Sequence, residues 1–465
     1  MSACSRLGRY RDADRRFFVL SGFLALIFLT GGGSRADIAS LMILRPVSVV
    51  VIAYALAIVT RAQIKANRTA IGLAAAVVLL HLAQLIPLPP AVWQTLPGRE
   101  PLVEIDGLAG LGPVWRPMTM APTATWNSMW SLSVPIAVLL LVIQLERSRQ
   151  ARLLPVLIGL GMASAALGIL QLFGGSGGQL YLYRVTNPGN AVGLFANRSH
   201  QAVFLACVLT MVLVWGFGRA RPGFREIGIA AAGFVLLIPL ILITGSRSGL
   251  MVMLVAAIAA PFMIGIQRFG RFGDPAFSRV IGWIAVAVAG MIALAFLTAL
   301  FGRGLAVDRF LESNFAGDLR IAAFPTVVSM VKSYLPWGAG FGTFDQLFRM
   351  QEPRELISPS YFNHAHNDWL ELALGGGLPA ILLLAVTLAW LGVHVFQAFR
   401  NGTSADAALS RLGGVIIGLF VLASFSDYPL RTPSLISLAV IAIVWATSKD
   451  IYFDDSIEQE RPKSI

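Results

Sequence analysis

Apolar stretches close to the length of a bilayer crossing recur from one end of this chain to the other, and a soluble core of this size has no room for them all. A crossing helix takes about 20 mostly apolar residues. Twelve spans are expected, at 17–32, 38–59, 69–87, 128–145, 153–173, 199–217, 227–244, 249–266, 280–301, 370–396, 412–426 and 434–447. Glycine or proline interrupts several, which neighbouring helices tolerate by satisfying the freed backbone groups. Composition agrees: 56% of the residues are hydrophobic and 13% charged, where a soluble domain carries about 25% charged residues. The expected fold is an all-α polytopic membrane protein.

The net charge of +12 does not point to nucleic acid, because the basic residues form no continuous face. They fall in short clusters between spans: Arg6 to Arg16; Arg61, Lys65 and Arg68; Arg147, Arg149 and Arg152; Arg219, Arg221 and Arg225; Arg268, Arg271 and Arg279. With the basic N-terminus inside, every cluster falls on the inner side and both termini are cytoplasmic, as the positive-inside rule requires. The first apolar run resembles a signal peptide, with Gly31-Gly32-Gly33-Ser34 where a cleavage region would be. A second span follows at once, so an uncleaved first helix is expected. Cys4 lies in the basic tail and Cys207 in an apolar run, so no disulfide is expected between them.

This topology places two long segments outside. Pro87 to Asn127 is rich in proline and tryptophan, and Trp93, Trp115, Trp126 and Trp130 suit a membrane interface. Gly302 to Trp369 is the longest polar segment and includes a helical stretch, Leu319 to Lys332. A loop of that length is ordinarily functional or disordered; its aromatic content favours order. The expected organisation is 1–301 for nine spans with a loop near 87–127, 302–369 for a large outer loop with short helices, 370–447 for three more spans, and 448–465 for a cytoplasmic tail.

Four polar stretches could carry chemistry. "FNHAHNDWLELALGGGLPA" puts His364, His366, Asn367 and Asp368 immediately before an apolar run. Asn367 or Asp368 would cap a helix there, which leaves the histidines unexplained. Imidazole is the side chain best poised for proton transfer near neutral pH. A metal site is the weaker reading, because no HExxH, CxxC or second His/Asp cluster accompanies them. "ITGSRSG" joins two spans by a turn and sets Arg247 near membrane depth, where an arginine costs about 2.5–3.5 kcal/mol unless it snorkels. It reads either as a headgroup anchor or as an anion site, whose planar donor fork suits phosphate. Asn197, Arg198, Ser199 and His200 begin the sixth span and suit helix capping, interfacial anchoring or a functional role. Arg320 begins a helix, where a cation opposes the helix dipole, so a ligand or a partner carboxylate is expected beside it. Gly338, Gly340 and Gly342 follow no βαβ strand, so they read as a tight turn rather than a nucleotide fingerprint. His81 and His394 lie in or at the inner end of apolar runs and read as structural, satisfied by neighbouring helices.

In this order, "GLFANRSHQAVFLA", "TGSRSG", "DLRIAAFPTVV…LPWGAGFGTF" and "HAHNDWLELALGGGLPA" closely resemble the O-antigen ligase/polymerase superfamily of bacterial membrane glycosyltransferases. The specific part runs roughly from Asn190 to Ala380. The family's His-Asn, nine residues, Gly-x-x pattern is met by His366-Asn367 and Gly377-Leu378-Pro379; the last family position, often Gly, Thr or Tyr, is Ala380 here. The resemblance implies a GT-C-like enzyme of about twelve helices that needs no metal or other cofactor. It would lie in the bacterial inner membrane with its site facing the periplasm and take an undecaprenyl-diphosphate-linked glycan as donor. Arg247, Arg320 and His366 match the family's catalytic positions. Arg198 and His364 match less general positions, and with Asn197 and the Asn367 of the His-Asn pattern they are the expected substrate-binding residues.

The chemistry of these residue types fits. Breaking a sugar–diphosphate bond leaves negative charge that two arginines can stabilise. The attacking hydroxyl needs a base, which neutral imidazole supplies. No paired carboxylates flank the proposed site, so glycoside hydrolysis is disfavoured. The expected function is polymerisation of lipid-linked repeat units of a surface or exopolysaccharide, with the Ala380 departure as one reason. The alternatives are an O-antigen ligase that transfers glycan to lipid A-core and a transporter or flippase of lipid-linked sugars. A transporter would place its charges near the bilayer midplane, whereas these gather at one face. Other polysaccharide-assembly proteins are possible partners.

Overall fold

The computed structural model describes residues 3–174, 178–217, 224–264, 319–357, 362–400 and 405–448. The expected span at 280–301, the basic cluster at 268–279, the first part of the outer loop and the C-terminal tail lie outside these residues. The other eleven expected spans are helical. The helices are Ala3–Thr30, Leu41–Ile58, Arg68–Leu85, the pair Pro122–Ser131 and Ser133–Val142, Leu153–Phe173, Arg198–Phe217, Phe224–Ile243, Arg247–Ile264, Asp368–Arg400, Ala405–Ala423 and Pro433–Thr447. Among the described residues six helices are long and apolar enough to cross a membrane, and four more are apolar but shorter. The architecture is not purely helical: Pro87–Leu88 pairs with Arg116–Pro117 as a two-residue antiparallel ladder.

The Arg198–Phe217 helix is the axis of the bundle. Ala202 to Met211 are each at most 1% exposed, as expected of a helix that is apolar all round. It packs against the Leu153–Phe173, Phe224–Ile243, Arg247–Ile264 and Ala405–Ala423 helices. Cys207 lies buried on it as a free thiol. Gly249 permits the closest of these approaches, since a Cβ there would run into the Ala202 methyl group. The Leu41–Ile58 and Arg68–Leu85 helices instead turn apolar side chains such as Val50 and Leu79 outward.

At one end of the bundle, arginines close the helix C-termini. Arg147 donates to the Trp445 carbonyl at 2.9 Å and Arg411 to the Met263 carbonyl at 2.9 Å. Such contacts satisfy last-turn carbonyls and favour the negative end of the helix dipole. Arg147 and Arg411 therefore have a structural role.

Residues 319–357 have a small core of their own. Ala323, Val327, Met330 and Tyr334 of the Leu319–Tyr334 helix meet Phe344, Leu347 and Phe348 of the Phe344–Gln351 helix and Leu374. Gly338, Gly340 and Gly342 all have positive φ, at 80°, 109° and 80°, so the tight turn expected there is present. It lies against the Asp368–Arg400 helix through Ala339 N–H to Leu374 O at 2.8 Å and Gly340 N–H to Gly375 O at 3.0 Å. Gly377 breaks that helix with φ 58°. A Cβ there would stand 2.6 Å from Gly338 N, so the kink and the turn require each other.

The Pro/Trp-rich loop clasps the same turn. Arg99, 1% exposed, donates to Met118 O and Gly338 O at 2.6 and 3.0 Å. Trp115, Trp126 and Trp130 face outward, but Trp93 is buried and donates to Val114 O at 2.9 Å. Trp93 fills the interior of the loop, where an interfacial position was expected.

Candidate active site

Six stretches far apart in sequence meet at the other end of the bundle. The Asp368–Arg400 helix begins with Asn367 as its cap, its Oδ1 accepting from Leu370 N–H at 3.0 Å. The Asn367 amide also donates to Phe425 O at 3.1 Å. Asp368 N–H donates to Ser424 O at 3.0 Å. These bonds fix the histidine segment against the turn that joins the Ala405–Ala423 and Pro433–Thr447 helices. His366 lies between the cap and His364 with φ 50°, the positive-φ non-glycine among the described residues. Backbone in that region is disfavoured for a residue with a Cβ and is tolerated where surroundings hold it, most often at functional sites.

The turn supplies the partner of His366. Its Nδ1 lies 3.6 Å from Oδ1 of Asp427, whose side chain is fully buried. That distance is long for a hydrogen bond but within direct electrostatic reach. Burial alone would raise the Asp427 carboxyl; His366, His200 and Arg320 more than offset this and hold it well below the usual carboxylate range. Burial pushes His366 below the ordinary imidazole value, and Asp427 opposes that shift. His366 is thus kept as a neutral ring beside an ionised carboxylate.

Arg320 donates to Ser426 O at 3.2 Å and acts on Asp427 through space. Asp427, from a turn 107 residues later, is thus a carboxylate within electrostatic reach of this helix start. The Tyr428 ring separates three histidines, with centroids 4.5 Å from His364, 4.8 Å from His366 and 5.2 Å from His200. Burial raises its phenol, whose oxygen is reached by Asn197 and Ser34.

His364 is built into the wall. Its Nδ1 lies 2.9 Å from Glu371 Oε1 and its Nε2 3.3 Å from Ser34 O. Glu371 and Asp368 both face Arg431, at 3.7 and 3.2 Å. Asn197 caps the Arg198–Phe217 helix by accepting from Ser199 N–H at 2.8 Å. Ser246 Oγ donates to Ser199 Oγ at 3.0 Å, which joins the N-termini of the Arg198–Phe217 and Arg247–Ile264 helices. Arg198 donates to Asn190 Oδ1 at 3.3 Å and reaches toward Gly245, one side of the turn that carries Arg247. Two positive helix ends and two arginines thus adjoin, an arrangement that attracts an anion.

The structure gathers Asn197, Arg320, His364, His366 and Asn367 around the Asp427–Tyr428 turn, and it places Arg198, next to Asn197 in sequence, beside the Arg247 turn. Asp427, Tyr428, Arg431 and Ser34 were not singled out from sequence. A signal for three of them was available: "SFSDYPLRTP" packs an aspartate, a tyrosine and an arginine into a short turn between two spans. His81 and His394 lie outside the site. They are satisfied within their own helices, by Val77 O and Trp390 O at 2.8 and 2.9 Å, and His81 also meets Ser128 Oγ and stacks on Phe341. Ala380 is buried and its methyl group occupies the space a Cβ on Gly376 would need.

Helices of crossing length with a polar site at one bundle end define a multi-pass membrane protein. Residues 232–385, about a third of the chain, match the O-antigen ligase family model. The matched stretch contains Arg247, Arg320, His364 and His366 but neither Asn197–His200 nor Asp427. No curated protein matches the chain.

Proposed function

We propose that the protein transfers glycan from a lipid-diphosphate carrier to a sugar hydroxyl, with inversion and without a metal, His366 being the base. The observation that carries this reading is the His366–Asp427 pair, held in a strained backbone beside Arg320. Asp427 facing Nδ1 favours the tautomer with the proton there, which leaves Nε2 as the lone pair for the acceptor hydroxyl. As the acceptor oxygen bonds to the anomeric carbon, the bond to the diphosphate oxygen breaks. The hydroxyl proton passes to His366 Nε2. The charge that develops on the lipid diphosphate is met by Arg247, Arg320 and the paired helix N-termini. Arg198 and Asn197 line the donor side. The donor is an undecaprenyl-diphosphate glycan in the bacterial inner membrane, and the site faces the periplasm, opposite the basic clusters.

The acceptor we propose is a second lipid-linked repeat unit, so that the product is a surface or exopolysaccharide chain. Transfer to lipid A-core is the second reading, favoured by the description of the matching family. Purified protein with a synthetic lipid-diphosphate repeat unit as sole substrate should give a ladder of oligomers. Product only after lipid A-core is added would establish ligation. Absence of transfer to either acceptor would overturn the enzyme reading and leave a carrier of lipid-linked sugars.

Two results are expected in the same assay. Arg247→Lys keeps a charge but loses the planar fork, and it should lower the rate about tenfold to a hundredfold; full activity would leave Arg247 as a generic surface charge. EDTA should leave the rate unchanged, because arginines and helix ends meet the developing charge. Inhibition that added divalent metal reverses would overturn the metal-free step.

A further inference from the structure

Asp427 faces a second imidazole that the reaction above does not use. His200 Nε2 lies 3.9 Å from Asp427 Oδ1, the same oxygen that His366 Nδ1 faces at 3.6 Å. That oxygen also accepts from Tyr428 N–H at 3.0 Å. His200 sits in the first turn of the central helix and is 1% exposed, so it does not reach a substrate. Its Nδ1 lies 3.0 Å from Thr432 Oγ1. Among the described residues His200 Nε2, His366 Nδ1 and Asp427 Oδ2 are buried without a hydrogen-bond partner, and buried polar atoms ordinarily have one.

We propose that His200 is a positioning residue that acts on His366 through Asp427. A carboxylate oxygen accepts and cannot donate, so a neutral His200 ring is favourable here only with its proton on Nε2. Nδ1 is then the lone pair and Thr432 donates to it. The chain reads Thr432 O–H to His200 Nδ1, and His200 Nε2–H toward Asp427 Oδ1, which also faces His366 Nδ1–H. His200 fixes the rotation of the carboxylate and shares its charge. His366 is thereby held in the tautomer that leaves Nε2 free, and its basicity is set below what an unshared Asp427 would give. The other charged or titratable groups facing this chain are His364, Arg320 and the Tyr428 phenol.

The proposal rests on His366 as the base, and the test separates the two. The pH dependence of kcat and KM is measured for wild type, His200→Gln, His200→Leu and Thr432→Val in the purified transfer assay, with His366→Ala as reference. Leucine removes the donor and leaves Asp427 to His366 alone. It should lower kcat about tenfold, leave KM unchanged, and move the acid limb of kcat to higher pH. Glutamine keeps an N–H near the position of Nε2 and should restore the wild-type limb. Thr432→Val should move the limb in the same direction as leucine, by less. Leucine and glutamine variants equally slow with an unmoved limb would reduce His200 to packing and overturn the proposal. If the leucine variant does not accumulate in membranes, an unmoved limb in Thr432→Val overturns it instead. Wild type that transfers only with His366 intact, alongside His200 variants indistinguishable from it, overturns this inference alone. Wild type that transfers nothing overturns the reading of the site, and this inference falls with it.

Discussion

His366→Ala is expected to lower glycan transfer by about 10²–10⁴-fold, the usual contribution of a positioned acid or base, without changing the amount of protein in the membrane. The ring is not part of the bundle core: its contacts are the Asp427 carboxylate and the edges of Phe362 and Tyr428. Alanine also relieves no hydrogen bond of the helix cap, which Asn367 makes. The loss should therefore fall on turnover. The pH dependence of the wild type carries a sign. A base works when neutral, so activity is lost as pH falls through the His366 pKa. Burial lowers that pKa from its ordinary value, so the acid limb should lie below about pH 6.5, where an exposed histidine titrates. A limb above that value would contradict the buried setting, and a wild-type rate in the alanine variant would remove His366 from the chemistry.

Local pattern exposed one half of this site and hid the other. The spans, the outer helix at Leu319 and the glycine turn are written in apolar runs and in glycine placement, which are properties of a short window. His364, His366, Arg247 and Arg320 stood out for the same reason, as polar groups at the edges of apolar runs. Asp427 did not, because its meaning depends on a pairing with His366 across 61 residues, which no spacing encodes. Gly31-Gly32-Gly33-Ser34 was read beside a signal-peptide pattern. Its role is long-range packing: Gly32 N–H donates to the Tyr183 hydroxyl at 2.6 Å, Gly32 O accepts from Ala196 N–H at 3.0 Å, and Ser34 O meets His364. Trp93 was misplaced because tryptophan suits both a membrane interface and a buried loop core, and only its indole bond to Val114 distinguishes them.

Asp427→Asn should be nearly as damaging as loss of the histidine, about 10²–10⁴-fold in rate, although the new side chain has almost the same shape. The carboxylate can only accept, so it selects the tautomer with hydrogen on His366 Nδ1. An amide can turn its NH₂ toward Nδ1 instead, and the ring proton then moves to Nε2, where no lone pair remains for the acceptor hydroxyl. The change also removes the negative group that stabilises the imidazolium once it forms. Asp427 raises the His366 pKa against the effect of burial, so residual activity should show an acid limb at still lower pH. This is opposite to the shift expected for His200→Leu, and the two variants calibrate each other. With its NH₂ toward Nδ1 the amide gives up the bond that Oδ1 accepts from Tyr428 N–H, so the amount of protein in the membrane is measured beside the rate. A double variant, His366→Ala with Asp427→Asn, should be no slower than His366→Ala alone, since residues that act as one unit are not additive. Losses that multiply would mean that Asp427 meets the substrate itself, and a near-normal rate in Asp427→Asn would detach the carboxylate from the reaction.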